Sequence, residues 1–216
     1  RAILEACRSR DILTLGAATT LAEAEALADA GVDIVLATGF EAGGHRPAFL
    51  EPAEANLIGT LPLTRQIAAH LRVPVIAAGG IADRAGIDAA LTLGAGAAQL
   101  GTAFLACAES GTNDAHRDVL FSLRARHTVL TRAYTGRLAR GIPNRVIAEM
   151  EACAERLPPF PVQAWFLGHL KHAAIAAGDE DFASLYAGQG APLLRHRKAA
   201  DLMADLSRPA EVRAVA

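Results

Sequence analysis

The architecture can be read from residues 74–102, PVIAAGGIADRAGIDAALTLGAGAAQLGT. Val75–Ala78 is a short apolar run of the strand type, ended at once by the paired Gly79 and Gly80. Asp83 can cap the helix that follows, Arg84–Leu93, and Gly94 stops it. Ala97–Leu100 reads as a further strand, after which Gly101 and Thr102 open a helix over Ala103–Glu109. A strand, a glycine turn and a helix, repeated with little between them, form the unit of a parallel sheet joined by right-handed crossovers.

The same unit recurs toward the N-terminus. Apolar residues at helical spacing over Arg1–Arg10 precede a strand at Asp11–Ala17 (DILTLGA). Thr19 and Thr20 offer capping hydroxyls to Leu21–Ala30, a strong helix former closed by Gly31. Val32–Ala37 (VDIVLA) is the nearly continuous apolar run of a buried parallel strand. An irregular stretch from Thr38 to about Leu57 and a helix over Gly59–Leu71 lead back to Val75. Strand and helix thus alternate four times, and the fold class is α/β.

Past Ser110 the pattern changes to helix and loop: a segment near Ala115–Arg126, a Thr- and Arg-rich run at Thr128–Arg145, and a helix at Val146–Arg156. The punctuation LPPFPV at Leu157–Val162 precedes helices near Phe166–Ala177 and Phe182–Tyr186. The basic tail Arg195–Lys198 (RHRK) reads as a solvated helix face or chain end. We therefore expect residues 1–110 to supply βα units and residues 111–216 a helical covering region of the same domain.

Composition narrows the function classes. The 216 residues are 52% apolar, 20% charged and 5% aromatic, enough to bury one core. A formal charge of −2 gives no electrostatic reason to bind nucleic acid or an anionic membrane. Cys7, Cys107 and Cys153 are odd in number and far apart, which argues against a disulfide framework or a metal site and fits a reducing cytoplasm. No apolar run approaches the roughly 20 residues of a membrane span.

In a (β/α)8 barrel, ligands sit at the C-terminal ends of the strands, and phosphate is commonly held by the turns after strands seven and eight. The two consecutive candidates here are Ala78–Ile81 and Gln99–Thr102. Glycine admits a phosphate oxygen close to the backbone, where strand-to-helix amides point at it. One glycine pair by itself only permits a tight turn. Two in succession, separated by one helix and one strand, point to a phosphate-containing ligand held by Gly79, Gly80, Gly101 and the Thr102 hydroxyl. Neither turn contains Lys or Arg, which suits a tightly bound cofactor better than a phosphate that leaves each cycle.

TGFEAGGHRP at Thr38–Pro47 follows a buried strand and belongs to that same end. Its glycines free the backbone and present His45, the side chain most ready to exchange a proton near neutral pH. Glu41 either orients the loop or is solvated. Arg46 either meets a substrate carboxylate or forms a structural pair. The other six histidines have no comparable setting.

These motifs resemble the nitronate monooxygenase family, formerly called 2-nitropropane dioxygenases. The matching pieces are Gly39–Pro47, Pro74–Ser110, Gly136–Asn144 (GRLARGIPN) and Leu185–Leu193 (LYAGQGAPL), in the family's order over most of the chain. The resemblance implies a TIM-type (β/α)8 barrel, here its C-terminal half with an added helical region. It implies FMN as cofactor, its phosphate held by Gly80, Gln99, Gly101 and Thr102, with Gly79 and Leu100 among the cofactor-binding residues and Gly43 near the flavin. Where many members carry Gln this chain has Thr38, whose hydroxyl can replace part of an amide's contact. His45 matches the catalytic histidine, and Tyr186 and Gln189 lie toward the substrate. The implied reaction oxidises an alkyl nitronate, such as propionate 3-nitronate, with O2 to a carbonyl compound and nitrite. Metal, nucleic acid and membrane have no part in it, and a homo-oligomer is compatible with it.

Members of this family carry further barrel strands before the point where this chain starts. Four strands cannot close an eight-stranded barrel, so we expect a piece of a longer protein. Two other functions share the glycine turns: an enoyl-reductase or NADH:quinone reductase of the same FMN barrel, and a non-catalytic flavin-binding remnant.

Overall fold

The computed structural model describes residues 2–208, and in it Val75–Ala78 is a strand flanked on both sides by parallel neighbours. The chain forms two compact units. The described part of the first is residues 2–40, 47–100 and 206–208, and the second is residues 41–46 and 101–205.

In the first unit, α1 (Ala2–Arg8) precedes β1 (Leu15–Ala18), α2 (Leu21–Ala30) and β2 (Ile34–Thr38). β1 starts later than the sequence suggests because residues 9–12 close α1 instead, Ser9 N–H donating to Glu5 O and Ile12 N–H to Cys7 O. The two-residue β3 (Gly44–His45) falls in the second unit, after which the first resumes with α3 (Thr60–His70), β4 (Val75–Ala78), α4 (Arg84–Thr92) and β5 (Ala97–Gln99). The sheet runs β1-β2-β4-β5, parallel throughout, with Ala18 beside Ala37, Thr38 beside Ala78, and Ala78 beside Gln99. Each sheet neighbour is the next strand of the βα alternation, as in consecutive units of a (β/α)8 barrel.

The sheet buries the face that its helices cover. Val35, Ala37 and Val75 pack with Leu63 and Ile67 of α3 and Ala24 of α2, while Ala77, Ala90 and Ala95 form a second cluster. The intervening Ile34, Leu36 and Ile76 point to the opposite face and stay partly exposed, as a period of two requires. Helix starts follow the expected chemistry: Thr20 Oγ1 accepts Glu23 N–H, and Asp83 Oδ1 accepts Gly86 N–H. Glu23 is almost fully buried, and its carboxylate accepts Thr19 N–H and Oγ1–H at 2.7 Å each, Phe49 N–H at 2.6 Å and Leu50 N–H at 3.2 Å. It thereby fixes part of the irregular stretch that follows residue 46.

The second unit departs from the expected helix and loop. The Thr- and Arg-rich run contains β6 (Val129–Thr131) and β7 (Ala139–Gly141), which with β3 make an antiparallel sheet in the order β3-β7-β6. The helical expectation near Tyr186 also fails. Only a 3-10 turn forms at Glu180–Phe182, and the chain then runs extended, Tyr186 bridging Gly141 and Leu185 O accepting Ile142 N–H. Pairing partners this remote override the local preference.

Helices α5 (Thr102–Leu105), α6 (Asp114–Leu120), α7 (Arg145–Glu151), α8 (Val162–Ala177) and α9 (Ala199–Leu206) follow, α9 beginning just after the basic run 195–198. Ala106, Leu120, Ile142 and Leu185 form one apolar cluster, and Tyr134, Val146, Ile147 and Leu167 another. Asn144 caps α7 through Oδ1 while its Nδ2 donates to Glu180 O and Ala183 O, tying that helix to the extended segment.

Candidate functional site

In the first unit the C-terminal ends of three adjacent strands carry Thr38, the Ala78–Gly80 turn and Gln99, with Leu100 next in the chain. Gly79 and Gly80 have φ of 120° and 69°, in the left-handed region that side chains rarely adopt. Thr60 Oγ1 donates to Gly79 O at 2.9 Å and holds the turn from behind. Among the described residues, no protein oxygen accepts the N–H of Gly79 or Gly80. The Asp83 carboxylate already occupies the start of α4, so an anion here meets the turn's amides and not that helix end. Thr38 is buried, and its hydroxyl lies 3.4 Å from Leu36 O.

In the second unit, a Cβ added to Gly101 would meet no heavy atom within 4 Å, leaving open space beside that peptide. Thr102 Oγ1 accepts Gly188 N–H at 2.9 Å, so its own proton remains available to an acceptor. Both features suit a phosphate oxygen. A Cβ at Gly43 would lie 2.5 Å from Gly188 N and 2.6 Å from Ala187 C, and Gln189 N–H donates to Glu41 O at 2.9 Å. The histidine loop and the YAGQG segment are therefore packed backbone to backbone.

His45 is held by β3, paired with Ala139 of β7. Its Nε2 lies 2.7 Å from Thr135 Oγ1, and the ring contacts Phe160 edge-on and Tyr186 at a tilt, each with centroids 5.8 Å apart. The ring stays open to solvent on one side. Burial of the remainder, with the nearby Arg137 charge, holds its pKa below the ordinary imidazole value. The Tyr186 phenol is pushed up by burial, opposed by a hydrogen bond with Ser184, and stays neutral near pH 7. Tyr134 stacks edge-on against Tyr186 at 5.3 Å, and His116 Nε2 lies 3.0 Å from the Tyr186 carbonyl. Arg46 is almost wholly buried, and its carbonyl accepts Arg137 Nε–H at 3.1 Å.

The sequence candidates fall into two sets: Thr38, Gly79, Gly80, Gln99 and Leu100 in the first unit, and Gly43, His45, Gly101, Thr102, Tyr186 and Gln189 in the second. Thr135, Arg137, Phe160 and His116 escaped the sequence reading. For Thr135 the one available signal was its place just before the GRLARGIPN motif. Among the described residues, no three His, Cys, Asp or Glu side chains are grouped to hold a metal, and no helix is long and apolar enough to cross a membrane.

A family model described as nitronate monooxygenase matches residues 2–208. A nitronate monooxygenase of Pseudomonas aeruginosa is 47% identical over 207 residues, covering 94% of this chain and 58% of that protein. A probable nitronate monooxygenase of Staphylococcus aureus is 38% identical over 205 residues, with the same coverage. Among solved structures, the nitroalkane oxidase from Streptomyces ansochromogenes superposes with a TM-score of 0.88 at 41% identity, covering 95% of this chain and 59% of its own. FabK from Thermotoga maritima superposes with a TM-score of 0.77 at 28% identity, covering 93% and 61%. The chain thus spans about 58% of the length of the curated relatives it matches.

Proposed function

The chain belongs to the nitronate monooxygenase family, and from that premise we propose that it is the FMN- and substrate-binding part of an enzyme that oxidises alkyl nitronates with O2 to a carbonyl compound and nitrite. The observation that carries this reading is His45, half open to solvent among Thr135, Phe160 and Tyr186, in a chain that matches the family over residues 2–208.

In the first unit the free amides of Gly79 and Gly80, and in the second the open peptide at Gly101 and the Thr102 hydroxyl, are neutral donors of the kind that suit a flavin's phosphate oxygens. Gln99 and Leu100 contribute the backbone leading to Gly101, and Thr38 and Gly43 are assigned to the flavin side. Bound FMN would supply the redox chemistry of that oxidation. His45, neutral at pH 7, faces the nitro group, while Phe160 and the neutral Tyr186 exclude water from the ring's flanks. Gln189 is assigned to the substrate side.

Nitrite release from propionate 3-nitronate under air tests the assignment. His45→Ala should lower it by about 100-fold or more, the scale of a positioned acid, base or donor. Wild-type activity in that variant would remove His45 from the site. NADH oxidation in the absence of nitronate would instead favour an enoyl-reductase or quinone reductase of the same barrel.

A further inference from the structure

The Thr135 hydroxyl has three neighbours and one proton. Arg137 N–H donates to Oγ1 at 3.3 Å, Arg137 O lies 3.4 Å away, and His45 Nε2 lies 2.7 Å away. An O–H donor bond is best near 2.7–2.8 Å and is poor beyond about 3.0 Å. Of the two possible acceptors, Nε2 has by far the better distance for the hydroxyl proton. A neutral imidazole that accepts at Nε2 carries its own proton on Nδ1. Among the described residues, no protein group takes Nδ1, and the ring is exposed. With the hydroxyl donating to Nε2, the outward-facing atom of His45 is an N–H donor and not a lone pair.

We propose that Thr135 is a positioning residue that holds His45 as the Nδ1–H tautomer, so that His45 donates a hydrogen bond to a nitro oxygen of an already ionised nitronate and takes no proton from carbon. This rests on the assignment of His45 to the substrate. A neutral nitroalkane would need a base to remove its α-proton, and the nitrogen that could serve is occupied by the Thr135 hydroxyl. An anion with two oxygens needs only a donor. Burial and the Arg137 charge favour the neutral ring that this arrangement requires.

The test is a long-range proton–nitrogen correlation spectrum of the full chain labelled with 15N-histidine, recorded at pH 8, where imidazole is neutral, with His45 assigned by its loss in His45→Gln. Nε2 should resonate as a pyridine-type nitrogen and Nδ1 as a pyrrole-type nitrogen. Thr135→Val should move both toward the averaged values of mixed tautomers, and Thr135→Ser should restore the wild-type pattern. On propionate 3-nitronate, Thr135→Val should lose about fivefold in kcat/KM and Thr135→Ser should recover most of it, the scale of one hydrogen bond. A pyrrole-type Nε2 in the wild type, or a pattern unmoved in Thr135→Val, overturns the proposal. If the wild type releases no nitrite, the assigned reaction fails, while the tautomer is still read from the spectrum.

Discussion

In the first unit each strand pairs with the next strand of the alternation, and its helices cover the strands they connect. In the second, Gly44 pairs with Arg140, His45 touches Thr135, and Gly43 packs on Ala187 and Gly188. Neighbouring contacts follow from local signals such as a cap, an apolar run or a glycine stop. Remote contacts follow from shape, which one stretch of sequence does not display. The first unit is therefore the frame that presents strand ends, while the second positions His45 through close approach of distant segments.

Gly43 gives the largest expected effect. Gly43→Ala sets a Cβ against two backbone atoms at 2.5 and 2.6 Å, neither of which can swing aside as a side-chain tip could. The expected loss is about 3 kcal/mol in urea unfolding, at the upper end of overpacking costs. His45, two residues on, should lose its contact with Thr135. A variant with wild-type stability and an unchanged His45 spectrum would mean that close approach does not define the second unit.

This contrast also explains what was legible. Thr20, Gly31 and Asp83 mark helix ends by chemistry that acts over three or four residues, and the helices over 21–30 and 84–92 lie where those marks put them. His45, Gly79 and Gly101 were visible as strand-end residues for the same reason. The run at 128–145 carries no such marks, and it folds back on itself as β6 and β7 while β3 arrives from residues 44–45 to pair with β7. Thr135 and Phe160 were hidden alike, their role being set by a histidine far away in the chain.

Glu23 would break a simple division of the two units, since it belongs to the legible unit yet works at a distance. Its carboxylate accepts hydrogen bonds from residues 49 and 50 as well as from Thr19. Burial pushes its pKa up, but the hydrogen bonds, that of Phe49 N–H foremost, outweigh burial and hold it below the ordinary value of 4.5. A carboxyl with a lowered folded pKa stabilises fully above its unfolded pKa, and that contribution is lost as pH falls through the folded value. Glu23→Gln should cost about 2 kcal/mol at pH 7, and the cost should shrink below pH 4. A penalty that stays constant into acid would show that the charge contributes nothing.

The smallest expected effect sharpens the second unit's side of the contrast, because it concerns one charge beside His45. Burial is the larger cause of its low pKa and Arg137 the smaller, so the titration midpoint should fall below 6.5 in the wild type. The folded-state pKa being depressed, this histidine's contribution to stability is complete above pH 6.5 and is lost as pH drops through the folded midpoint. Arg137→Gln should raise the midpoint without reaching 6.5, since the desolvated ring remains. Arg137→Lys keeps the charge while giving up the planar donor to Arg46 O, and should leave the midpoint where it is. A shift in the lysine variant equal to that in glutamine would assign the effect to the lost Arg46 contact. The remote packing of the loop, and not the charge, would then be what sets the proton affinity of His45.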